Sequence, residues 1–67
     1  MQISLKAARV NANLTQDEAA ARIGVTKSTI RNWEKGRSYP TAQQIEIIQR
    51  EYGMPYDHLN FLPNNHA

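Results

Sequence analysis

From Lys27 to Lys35 the chain reads Lys-Ser-Thr-Ile-Arg-Asn-Trp-Glu-Lys, a stretch that carries amide, hydroxyl, guanidinium and ammonium groups. These are the side-chain types that can hydrogen-bond to the edges of base pairs: asparagine to adenine, arginine or lysine to guanine. Turned at about 100° per residue, a helix here puts Thr26, Ile30, Trp33 and Glu34 inward. Ser28, Arg31, Asn32 and Lys35 then face outward, with Lys27 on the flank. A solubilising face needs no particular side chains, whereas a face that reads a groove needs these. Charge is concentrated in the same place. Five of the eight basic residues, Arg22, Lys27, Arg31, Lys35 and Arg37, fall within sixteen positions that hold one acid, Glu34. That segment carries +4 in a chain whose net charge is +2. No wide apolar face accompanies it, which suits a polyanion better than a membrane surface. A merely solvated face is the alternative that charge alone leaves open.

The surrounding sequence supplies elements that can hold this stretch in place. Thr26 is a candidate cap for its helix and Gly36 a candidate stop, followed by a loop at Arg37-Ser38-Tyr39-Pro40. The preceding helix opens on a capping box, Thr15 with Glu18 three residues later, and Leu14 can staple onto Ala19. Its apolar face of Ala19, Ala20 and Ile23 ends at Gly24, which is free to adopt the positive φ of a sharp turn. Ala20 lacks bulk where the two helices must approach, and Ile30 and Trp33 plug the second into a core with Ile23 and Val25. An earlier helix spans about Ser4 to Asn11, with Leu5, Ala8, Arg9 and Ala12 on one face. A fourth begins at Thr41 with Gln44 completing another capping box. It turns Ile45, Ile48 and Tyr52 inward and closes at Gly53, while Ile47 points away from Ile45 toward the C-terminal segment or a partner. Pro55 suits the first turn of a fifth, short helix through Leu59. No alternating apolar pattern long enough for a strand occurs.

Composition removes several function classes. With 67 residues the chain has room for one domain, read as residues 1–63 with a loose tail at 64–67. There is no cysteine, and His58 and His66 lack the spacing of a ligand pair, so no metal or other cofactor is expected. His58 reads as a surface or interface residue. No apolar run approaches a membrane span and the N-terminus lacks a signal-peptide core, which points to the cytoplasm. Asp57-His58 has no nucleophile beside it, and there is no glycine-rich phosphate loop, so an enzyme is not expected. Nor does a small-molecule pocket suggest itself.

The segment LTQDEAAARIGVTKSTIRNWEKG, followed by a proline and a final YGMPYDHL, resembles the phage Cro and repressor family of helix-turn-helix proteins. The resemblance covers about Leu5 to Leu62. It implies an all-α, five-helix bundle of the lambda-repressor-like type that binds double-stranded DNA at an operator, as a weak homodimer stabilised on the DNA. The third helix would enter the major groove with Lys27, Ser28 and Asn32 as leading base readers and Arg31 as a further one. Gln16, Thr26, Lys35, Arg37 and Ser38 would contact phosphate. Arg9 matches a family arginine that pairs with an acid on the third helix, which makes Arg9 and Glu34 an expected ion pair. The implied role is a transcriptional repressor of a phage or mobile element; an antitoxin or adaptor that mainly binds protein is the competing role. Leu59, Phe61 and Leu62 could form a two-fold contact or finish the core of their own chain. Trp33 reads as core, and Tyr39 as a core shield rather than a phosphate contact.

Overall fold

Every helix in this protein begins just after a hydroxyl. In the computed structural model, which describes residues 2–61, Ser4, Thr15, Thr26 and Thr41 each accept a hydrogen bond from the backbone N–H three residues on. Four α-helices follow them: α1 (Leu5–Asn11), α2 (Gln16–Ile23), α3 (Lys27–Glu34) and α4 (Ala42–Tyr52). A first-turn N–H has no partner inside its own helix, so each hydroxyl answers a donor that would otherwise need water. Two caps are reciprocal boxes. The Thr15 N–H donates to Glu18 Oε1 at 2.9 Å and the Thr41 N–H to Gln44 Oε1 at 2.8 Å.

The helices also end alike. Asn13, Gly24, Gly36 and Gly53 all have positive φ, between 62° and 90°. The amide of the next residue reaches back five positions each time: Leu14 to the Arg9 carbonyl, Val25 to Ala20, Arg37 to Asn32 and Met54 to Gln49, at 2.9 to 3.2 Å. This left-handed stop satisfies carbonyls at the helix end and turns the chain sharply. Three of the four stops use glycine, as the sequence suggested. Asn13 is the exception, and asparagine is among the few other residues that enter this region readily.

The buried side chains form one cluster built around Leu5, Ala8, Ala19, Ile30, Trp33 and Ile48, with Leu14 and Tyr52 sealing it. α2 packs on both α3 and α4, with Ala19 and Ala20 buried at the small positions. Ile45 and Ile47 are both only half-buried, so Ile48 and Tyr52 carry the inner face of α4. Tyr39 is 55% exposed while Pro40 beside it is buried, so the shielding expected of Tyr39 is done by the proline.

The end of the described chain departs from the expected fifth helix. Pro55 is extended, at φ −69° and ψ 156°, and only Tyr56–His58 follows as a single 3-10 turn. Leu59–Asn60 then forms a short strand, β2, that pairs in parallel with β1 (Ile3–Ser4), Ile3 opposite Leu59. The architecture is therefore four helices with a two-residue strand pair, not five helices. Extended backbone at Leu59, φ −103° and ψ 132°, bonds to the N-terminal strand while its side chain closes the core at 3% exposure. That burial removes Leu59 from the candidate two-fold contact. Phe61 is half-buried and stacks tilted on Tyr56, ring centroids 5.7 Å apart. Leu62, the boundary at residue 63 and the tail at 64–67 lie outside the described residues.

Candidate nucleic-acid interface

α3 is seated by two side chains. Ile30 is 1% exposed and Trp33 is 4% exposed, and they stand on the same side of the helix three residues apart. Their burial turns the opposite face to solvent: Lys27, Ser28, Arg31 and Lys35 are exposed, and Asn32 is half-exposed beside them. Thr26 does not follow the inward face read for it. It lies before the first helical turn, exposed, with its hydroxyl accepting from the Thr29 N–H at 3.1 Å. After α3, the Arg37 N–H bonds to the Asn32 carbonyl at 2.9 Å, which holds the start of the loop carrying exposed Arg37 and half-buried Ser38.

Beneath this face lies a polar junction that ties three helices together. Arg9 on α1 donates from Nε to Glu34 Oε2 at 2.6 Å and from a terminal nitrogen to Glu34 Oε1 at 3.2 Å. Its other terminal nitrogen donates to the Leu14 carbonyl at 2.9 Å. Both side chains are below one-tenth exposed. Hydrogen bonding to Glu34 raises the proton affinity of the Arg9 guanidinium above its ordinary value, outweighing the opposing effect of burial. Gln16, the first residue of α2, joins the junction by donating from Nε2 to Glu34 Oε1 at 3.2 Å. A primary amide has two donors, so one remains for a further acceptor.

Ion pairs divide the cations of this region. Glu34 is consumed by Arg9, Arg22 pairs with Glu51 on α4 at 3.6 Å, and Lys27 lies 3.7 Å from Asp17 on α2. Among the described residues, Arg31, Lys35 and Arg37 make no ion pair. The uncompensated positive charge thus belongs to the outer face of α3 and the loop behind it. Arg22 stands apart from that set, although the sequence grouped it there. Asp17 is the neighbour that sequence reading missed. A ten-residue separation follows no helical repeat, so the contact arises only once α2 and α3 cross.

A Helix-turn-helix family model matches residues 5–59. The chain belongs to the helix-turn-helix family. Its α2 and α3, with Gly24 in the turn between them, form the bihelical unit. Among curated relatives, the cryptic phage CTXphi transcriptional repressor RstR of Vibrio cholerae is 40% identical over 47 residues, covering 70% of this chain and 42% of that protein. This agrees with the Cro and repressor type. The HTH-type transcriptional activator BcrR of Enterococcus faecalis is 31% identical over 55 residues, 82% of this chain and 27% of that protein. The type II methyltransferase M1.ScrFI of Lactococcus lactis subsp. cremoris is 38% identical over 53 residues, 75% of this chain but 14% of that protein. The helix-turn-helix chain therefore spans less than half the length of each of these relatives. Comparison with solved structures returned no match.

Other chemistry finds no site here. Among the described residues no group of three His, Asp or Glu side chains gathers to hold a metal, and no helix is long and apolar enough to cross a membrane. An open depression lined by Glu46, Gln49, Arg50, Gly53, Met54 and Pro55 involves none of the α3 residues.

Proposed function

We propose that this helix-turn-helix domain is the DNA-reading part of a sequence-specific transcriptional regulator, most closely a Cro-like or immunity repressor of a phage or mobile element. Two copies occupy a nearly palindromic operator, each placing α3 in successive major grooves about 34 Å apart. The observation that carries this reading is the division of α3: Ile30 and Trp33 buried, Lys27, Ser28, Arg31 and Lys35 exposed with Asn32 at the edge. Lys27, Ser28, Arg31 and Asn32 read bases. Gln16, Thr26, Lys35, Arg37 and Ser38 grip phosphate, and those contacts set register without carrying sequence information. Similarity to a phage repressor over 70% of the chain supports the repressor role. Phe61 and Leu62 supply the small apolar contact between copies, and pairing is completed on the operator.

Selection of binders from randomised duplex DNA by the purified protein, followed by sequencing, tests this directly. An enriched site with two symmetric halves one helical turn apart is expected; absence of enrichment overturns the reading in favour of a protein-binding role. Within the selected site, Asn32→Ala should relax preference at one base position by about 1–3 kcal/mol, while Arg37→Ala should weaken selected and random DNA alike.

A further inference from the structure

Lys27 is the cation in the proposed base-reading set whose charge is already answered within the chain, by Asp17 Oδ2 at 3.7 Å. Asp17 is 74% exposed. The neighbouring acids are otherwise engaged: Glu18 folds back onto the Thr15 N–H, Glu34 lies under Arg9, and Glu51 faces Arg22 and Arg50. An acid in the first turn of α2 is favoured by the helix dipole, which explains why a carboxylate stands there. The dipole does not explain why it stands against a lysine on a different helix, on the face proposed to meet a polyanion.

We infer that Asp17 is a specificity-determining positioning residue that holds the Lys27 ammonium for base edges and withholds it from phosphate. The inference rests on the reading of α3 as the groove helix. A lysine ammonium is a point charge on a flexible four-carbon stem, so unrestrained it takes a phosphate on any duplex. Beside Asp17 that move has a cost, because it leaves an exposed carboxylate unpaired next to the DNA backbone. Donation to a guanine edge avoids the cost. The ammonium has three donors, enough to keep Asp17 and bond to the base together. The penalty therefore falls on sequence-independent binding and spares the operator.

Asp17→Asn, measured against the selected site and random duplex over a range of salt, tests this. Random-DNA affinity should rise about two- to five-fold, the range set by an exposed ion pair, with little change at the selected site. The salt slope on random DNA should steepen by about 0.9, the increment for one more neutralised phosphate. Asp17→Glu should restore the parental ratio. Glu46→Gln, an equal change of charge on the exposed side of α4, should leave the ratio unchanged, and in a Lys27→Gln background Asp17→Asn should have no effect on it. An unaltered ratio in Asp17→Asn, an equal effect of Glu46→Gln, or an effect that persists without Lys27 would each overturn the role of Asp17. A parental protein with no site preference would instead overturn the reading of α3 itself.

Discussion

Replacing Glu34 by glutamine keeps the size of the side chain and removes its charge, leaving Arg9 as a buried cation without a counter-charge. In the parent the guanidinium makes two hydrogen bonds to Glu34, at 2.6 and 3.2 Å, and one to the Leu14 carbonyl, and Arg9 is only 7% exposed. The glutamine oxygen can accept one of the two bonds, but its NH2 meets another donor. Breaking a buried pair from one side costs about 3–5 kcal/mol. A domain of this size has a total stability of about 3–10 kcal/mol. Glu34→Gln should therefore remove a third or more of it and lower the melting temperature by roughly 12–30 °C, at about 4–8 °C per kcal/mol. Thermal and urea unfolding followed by circular dichroism measure this. The double variant Arg9→Met, Glu34→Leu should recover most of the loss, since apolar replacement of a buried pair is often neutral or stabilising. Recovery should be incomplete because Gln16 and the Leu14 carbonyl lose their partners. Glu34→Gln melting like the parent would refute the argument that the junction is both buried and electrostatically coupled.

Three further outcomes follow from local features. Gly24→Ala meets no atom within 4 Å of the added carbon, so its cost should be that of a left-handed backbone alone, about 1–2 kcal/mol, and a larger loss would point to a contact instead. Thr15 holds the Glu18 carboxyl below its usual 4.5, through its backbone N–H first and its hydroxyl second. That contribution is complete above pH 4.5 and is lost as pH falls through the lowered value, so Glu18→Gln should flatten the acid side of the stability profile. Burial, aided by Glu34, pushes the Tyr52 phenol from 10 up to about 12. Its contribution is complete below pH 10 and declines as pH rises toward 12; Tyr52→Phe should lose less stability than the parent over that interval, and parallel curves would contradict this.

Punctuation was the part of the fold most legible in the sequence. Thr15, Thr26 and Thr41 announce helix starts, and Gly24, Gly36 and Gly53 announce stops, because the responsible bonds join residues a few positions apart. The inward face of α3 was legible from Ile30 and Trp33 for the same reason. Chain ends were less so. A pair of two-residue strands is too short to leave an alternating pattern, and Pro55 suits an extended approach as well as a helical first turn. The exposed face of α3 could be listed from the wheel, but its electrostatic partition could not. Arg22 is drawn to α4 and Lys27 to Asp17 by the packing of α2, which no local spacing encodes.

The parallel pairing of β1 with β2 also bears on the order in which the chain opens. Helical bonds close over a few residues and re-form in about a microsecond, but Ile3 and Leu59 must find each other across nearly the whole described chain. The entropy of closing a loop grows with its length, so this contact is the latest to gain and the earliest to lose. Amide protons at Leu59 and Asn60 should accordingly exchange by partial opening of the chain ends, at rates well above those of α2 and α3. A partner or fused segment attached beyond residue 61 would pull first on that seam, and the helix pair proposed to meet DNA would yield only after it.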